Sequence, residues 1–269
     1  MNKKISNLTI CYLMFLLLLF LSGSANGALS LIFTILAYIA PIVSALILSK
    51  EDFKDFRGYF TISGSDVIRV AFTITPTVVA VMLVSYLTSL VIFFTTGTTA
   101  TADLGDSYIL ALLSHAVVPA VFEELLFRYL PLRLLSSHSR RATVLVSAFF
   151  FSLVHHDLFS IPYAFIAGVM FMVVDLATES VIPSMIIHLI NNALSVTLIF
   201  YSDKPIVGYA TYAIVGFAAL ISLVIIIIKR DEYKKMITSA FTGGEKMKFS
   251  FEMLVFAAFT LAMAVIMLL

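Results

Sequence analysis

The sequence predicts an all-α fold: a polytopic transmembrane helix bundle of about eight or nine spans enclosing an intramembrane cavity. Of its 269 residues 61% are hydrophobic and only 12% charged, against about 25% charged in an ordinary soluble domain. Mean hydropathy is +1.07. Apolar runs of roughly 20 residues, the length that crosses about 30 Å of hydrocarbon, recur from one end to the other. Together these exclude a soluble globule and a disordered chain. The net charge of +1 supplies no long-range field for polyanions, so nucleic acid is excluded as a partner. The single cysteine, Cys11, rules out an intramolecular disulfide and a thiolate zinc site. Residues 1–269 read as a single integral membrane domain, with 119–192 as the core that carries the chemistry.

The apolar runs lie near 8–22, 28–49, 67–95, 108–132, 142–156, 162–178, 181–201, 206–228 and 250–269. The first follows Lys3 and Lys4 and ends in the small-residue stretch Ser22-Gly23-Ser24-Ala25, a pattern that secretory leaders share. It is read as a membrane helix because the second run follows at once. Between the second and third runs, Phe53, Phe56 and Phe60 punctuate a charged stretch at helical spacing. That pattern fits either a short interfacial helix or a loop with aromatic anchors. The fifth run is short and ends in His155-His156-Asp157, so it is expected to stop at mid-depth inside protein rather than in lipid. With no tryptophan, any aromatic belt falls to Tyr and Phe.

Basic residues set the expected orientation. Lys3 and Lys4, then Lys50, Lys54 and Arg57, then Arg133, Arg140 and Arg141, and finally the cluster from Lys229 to Lys248 fall in alternate connections. The intervening ones carry Lys204 alone. The positive-inside rule then puts the N-terminus in the cytoplasm, with the C-terminus outside for nine spans and inside for eight. A multi-pass protein of the cell membrane is expected.

Ionisable residues at bilayer depth are costly and by default mark function. The fourth run contains Glu123-Glu124-Leu125-Leu126-Phe127-Arg128. Glu124 and Arg128 stand four apart with the acid first, the favourable order for an ion pair along one helix face. Glu123 points about 100° away and has no such local partner. The fifth run carries Phe151 and His155 on one face, and the seventh carries His188 and Asn192. At about 1.5 Å per residue, Glu123 lies about 15 Å from Arg133 and His155 about 21 Å from Arg141. His188 and Asn192 lie about 12 and 18 Å in from Ser180, so the four fall in one layer. A carboxylate and a histidine can orient a water and take its proton. A second histidine and an asparagine amide can hold the oxyanion formed when water attacks a peptide carbonyl.

These motifs, E-E-x-x-x-R at Glu123 to Arg128, F-x-x-x-H at Phe151 to His155 and H-x-x-x-N at His188 to Asn192, resemble the signature of a family. It is that of the type II CAAX prenyl endopeptidases and their bacteriocin-processing relatives. The stretch Thr178-Glu179-Ser180-Val181-Ile182-Pro183 looks like the family's lead-in to its last motif. The resemblance implies a glutamate-dependent intramembrane endopeptidase that opens to the cytosol and acts on membrane-associated proteins or peptides, including prenylated CAAX-type ones. It implies that Glu123 and His155 activate water, that His188 and Asn192 hold the oxyanion, and that Glu124, Arg128 and Phe151 support them. His156, next to His155, is an alternative ring for the site.

Three other readings stay open at this stage. Zinc held by Glu123, His155 and His188 is chemically reasonable. The amide of Asn192 suits a hydrogen bond better than a metal, so no cofactor is expected. A non-proteolytic bacteriocin immunity or partner-binding protein of the same fold is the second. A transporter using buried Glu and His as a proton relay is the third. The zincin motif H-E-x-x-H and the G-x-S-x-G nucleophile pattern are both absent from the chain.

Overall fold

The computed structural model describes residues 2–49, 56–97, 104–136, 139–155, 160–242 and 251–266. Among them there is no strand. The first two runs form α1 (Asn2–Ser24) and α2 (Gly27–Ser49), followed by a single 3-10 turn at Phe56–Phe60 and the long α3 (Gly64–Thr96). The fourth run is one continuous helical segment, α4 (Tyr108–Leu134), interrupted by two π-turns. Then come α5 (Arg140–Leu153), α6 (Ser160–Thr178), α7 (Ile182–Phe200), α8 (Pro205–Ile228), α9 (Arg230–Ala240) and α10 (Phe251–Ile266). Seven of these, α1 to α4 and α6 to α8, are long and apolar enough to cross a membrane. The remaining two apolar runs form the shorter α5 and α10. The all-α polytopic bundle is therefore the observed fold.

Local chemistry sets the helix ends. Ser63, Ser107 and Ser139 cap α3, α4 and α5, each hydroxyl accepting a backbone N–H of the first turn. Gly97 ends α3 in the left-handed conformation at φ 70° and returns its N–H to the Phe93 carbonyl. Pro183 and Pro205 sit in the first turns of α7 and α8, where a missing N–H costs nothing.

Helix α5 behaves as its length dictates. Its 14 residues reach only about 21 Å, and most of its side chains, from Ala142 to Leu153, are buried. It stops inside the bundle, not in lipid. Around it the other helices turn large apolar side chains outward, such as Phe94, Ile206 and Ile228, each more than 70% exposed. That is the expected inversion for a bundle whose surroundings are hydrocarbon. The first helix packs as part of the core: Cys11, Tyr12 and Phe15 are buried, and Tyr12 stacks on Phe127 of α4 with ring centroids 4.9 Å apart. Ser6 donates to Glu252 at 2.7 Å, tying α10 to α1.

Two details depart from the sequence reading. Arg133, read as a loop charge, lies in the last turn of α4 and is 7% exposed, because α4 continues through Leu134 before it ends. Phe53, Lys50, Lys54, His138 and His156 lie outside the described residues. Of the aromatic stretch, Phe56 and Phe60 bound the 3-10 turn. The Tyr59 carbonyl within it accepts the Val181 N–H at 2.9 Å and the Ser180 hydroxyl at 3.1 Å. That turn thus pins the connection between α6 and α7, where Glu179 takes a left-handed φ of 53°.

Helices in lipid gain little from the hydrophobic effect on associating, so close van der Waals contact decides their pairing. Gly168 of α6 is such a contact. A Cβ built there would fall 2.8 Å from the Ala148 Cα and 3.4 Å from the Phe151 ring. The obstructing atom is backbone, so α5 and α6 would have to separate. Gly168→Ala is expected to destabilise the protein by about 1–3 kcal/mol, read as a lower midpoint of thermal unfolding in detergent. An unchanged midpoint would show that the two helices have slack at this crossing.

Candidate active site

The site is built on α4, and two prolines shape that helix. The π-turns Leu113–Val117 and Leu125–Tyr129 bracket the adjacent glutamates, and each is followed two positions later by proline, Pro119 and Pro131. Proline has no N–H to offer the preceding turn, so the ladder slips and carbonyls lose their partners. In hydrocarbon such orphans cost several kcal/mol each, so something has to satisfy them. Side chains from other helices do so here. Asn192 Nδ2 of α7 donates to the His115 carbonyl at 3.1 Å. Before Pro131, the Tyr12 hydroxyl donates to the Leu126 carbonyl at 2.9 Å and the Ser147 hydroxyl to that of Phe127.

Between the two π-turns lies a buried charge cluster. Glu124 and Arg128 are both fully buried and form an ion pair, Oε2 to Nε 3.1 Å. The other oxygen of Glu124 is 2.7 Å from His188 Nδ1. Because that carboxylate is held ionised by Arg128, it accepts and His188 Nδ1 donates, which fixes the ring's orientation. The opposite nitrogen, Nε2, faces Glu123 at 4.0 Å. Adjacent glutamates therefore address the two nitrogens of one imidazole. They differ in access: the Glu123 side chain is 16% exposed and that of Glu124 is not exposed at all.

Phe151 joins the cluster to α5. The Arg128 guanidinium lies over its ring at 4.2 Å, a cation–π contact that is strongest when desolvated. His188 and His155 both stand edge-on to the same ring, at 5.8 and 5.0 Å between centroids. His155 Nδ1 lies 2.8 Å from the Phe151 carbonyl. A carbonyl only accepts, so Nδ1 carries the proton of that contact, and in the neutral ring Nε2 is the acceptor nitrogen. Phe171 of α6 closes the other side of His188 at 5.6 Å.

The ion pair of Glu124 with Arg128 and the separate status of Glu123 are as the spacing predicted. His188 and Phe151 join them in one cluster, and His155 enters through Phe151. Asn192 sits one turn beyond His188, bonded to α4 and to its neighbour: Asn191 Nδ2 donates to Asn192 Oδ1 at 3.3 Å. Two features escaped the sequence. The bond from His188 to Glu124 links residues 64 apart and depends on how two helices are rotated. The carbonyl of His115 had a visible signal, the proline four residues on, although the side chain of His115 is itself exposed. Asp175, near the end of α6, is fully buried. Its Oδ1 accepts the Ser184 N–H at 3.1 Å, capping the first turn of α7. Among the described residues no three His, Cys, Asp or Glu side chains are grouped so as to hold a metal ion.

A bundle of membrane-length helices with carboxylates, an arginine and histidines gathered inside it is an integral membrane protein with a buried polar centre. The helices that carry this centre also carry a family likeness. Residues 105–194, about a third of the chain, match the family model described as type II CAAX prenyl endopeptidase Rce1-like. The match supports membership of the CAAX protease family. That is a family of proteases, which supports a hydrolase. No curated protein and no solved structure matches the chain.

Proposed function

We propose that the protein is a glutamate-dependent intramembrane endopeptidase acting on membrane-associated proteins or peptides, among them prenylated CAAX-type ones. The observation that carries this reading is the pair of adjacent glutamates on either side of His188, of which only Glu124 is paired with Arg128. A structural ion pair needs one carboxylate; the second, nearer to solvent, is the group with a proton-transfer role to fill.

In this reading a water lies against Glu123 and the acceptor nitrogen of His155. Glu123 takes a proton from it as the oxygen attacks the peptide carbonyl carbon. The carbonyl π electrons move onto oxygen, where His188 Nε2–H and the second Asn192 Nδ2–H stabilise the charge. Donation there requires an N–H at Nε2 as well as the one at Nδ1 that faces Glu124. Collapse breaks the C–N bond, and the proton on Glu123 passes to the leaving amine. One water is consumed; an acid and an amine are formed.

The test is hydrolysis of a panel of membrane-anchored and prenylated peptides by purified protein, with His188→Ala and Asn192→Ala beside it. Each variant is expected to fold and to lose about 10²–10³ in turnover, the usual effect of one oxyanion donor. Near-normal turnover in both would make them packing residues. The mechanism uses no metal, so turnover is expected to survive a strong chelator. One equivalent of zinc, lost with activity and restored with it, would replace Glu123 as base by a metal held at Glu123, His155 and His188.

The site is proposed to open to the cytoplasm in the cell membrane, because Arg140, Arg141 and the residues from Lys229 to Lys235 fall in basic connections. Cysteines placed at Arg140 and Lys235 are expected to resist an impermeant label in intact cells. Labelling at either position would reverse the orientation.

A further inference from the structure

The amide of Asn192 is held at both ends, and one of those anchors exists because of a proline. His115 lies four residues before Pro119, the position whose carbonyl an N–H at 119 would take in a regular helix. Pro119 has none, and Asn192 Nδ2 donates to that carbonyl at 3.1 Å across 77 residues of sequence. Asn191 Nδ2 donates to Asn192 Oδ1 at 3.3 Å. A primary amide has two N–H groups and one strong acceptor oxygen. With Oδ1 and one N–H engaged, the plane of the amide is set and one N–H remains for a ligand.

We propose that Pro119 is a positioning residue for Asn192: by withholding an N–H from the His115 carbonyl, it reserves that carbonyl for the asparagine amide. The geometry of the anchor stands by itself, and its value for turnover rests on the peptidase reading. Helix α4 supplies its own control. Pro131 sits in the same relation to the second π-turn, but its orphaned carbonyls are taken by Ser147 and Tyr12, away from Asn192. Both prolines follow a π-turn of one helix; of the two, Pro119 frees a carbonyl for Asn192.

The experiment compares Pro119→Ala, Pro131→Ala and the parent protein, full length in detergent. Side-chain amide proton exchange is followed by NMR on asparagine-labelled protein, with the Asn192 signals assigned by their loss in Asn192→Ala. In the parent, the two Nδ2 protons are expected to exchange at different rates, the one facing His115 more slowly. Pro119→Ala returns an N–H to that carbonyl, so exchange of the slow proton should rise about tenfold, the scale set by one hydrogen bond. In the same variant kcat should fall by a similar factor with KM unchanged, since the amide is needed only as oxyanion charge develops. Pro131→Ala should leave the Asn192 exchange as it is. Unchanged exchange in Pro119→Ala would overturn the proposal. Equal rates for the two protons in the parent would overturn it even if Pro119→Ala fails to fold. If no peptide is cleaved by the parent, the peptidase reading fails while the exchange data still decide the anchor.

Discussion

Glu123→Gln is expected to fold as the parent chain does and to cleave peptides about 10²–10⁴-fold more slowly, the range for loss of a general base. The substitution keeps the shape of the side chain and one acceptor oxygen but removes the basic group. Folding should be spared because Glu123 is outside the Arg128 ion pair: His188 Nε2 stands 4.0 Å from its carboxylate, beyond direct hydrogen-bond distance. Glu124→Gln acts differently. It weakens the ion pair with Arg128 and replaces the acceptor that holds His188 Nδ1–H, so stability and turnover should fall together. A thermal-unfolding curve and a cleavage rate for each variant separate the two. A folded, active Glu123→Gln beside a folded but inactive Glu124→Gln would exchange the roles of the two carboxylates. Activity retained by both would end the glutamate mechanism.

Arg128→Met should be the most damaging single change to stability. The guanidinium is fully buried, pairs with Glu124 at 3.1 Å, contacts the Ser147 hydroxyl at 3.4 Å and lies on the faces of Phe151 and Phe171. Methionine fills much of the space but leaves a buried carboxylate with only His188 to compensate it. Breaking a buried pair from one side costs about 3–5 kcal/mol, because the stranded charge keeps its desolvation penalty. Neutralising both partners removes that penalty, so Arg128→Met with Glu124→Gln should recover a large part of the loss. A double variant no more stable than Arg128→Met would mean that the arginine acts through its packing on the two rings. A single variant within about 1 kcal/mol of the parent would mean that the pair carries little stability at all.

The bracketing of the two glutamates by Pro119 and Pro131 has a further meaning for the fold. Each proline opens a π-turn in α4, and each opened turn is closed by side chains from neighbouring helices, from α1 and α5 at one and α7 at the other. The helix that carries the charges is thereby tied on both flanks. A regular helix would satisfy its own carbonyls and offer its neighbours nothing polar to hold.

Composition and apolar periodicity were enough to establish a membrane bundle, because hydrocarbon admits few backbone solutions and each needs a long apolar run. Properties that live within one helix were equally legible. Glu124 meets Arg128, and Phe151 shares a face with His155, because a helical turn brings positions four apart together whatever else the chain does. Position along each helix axis was legible too, since rise per residue is constant along a helix. Rotation was not. Whether Glu124 or Glu123 bonds His188 Nδ1, and which carbonyl Asn192 reaches, depend on how α4 and α7 are turned toward each other. That is decided by packing among several helices at once, including contacts as local as Gly168 on Ala148. The sequence by itself determined the kind of protein, the charged residues and their spacing along each helix; only the tertiary structure decided which nitrogen of His188 each glutamate faces. The physical reason is that chain spacing encodes distance along a helix axis, whereas the angle about that axis is set by the neighbours.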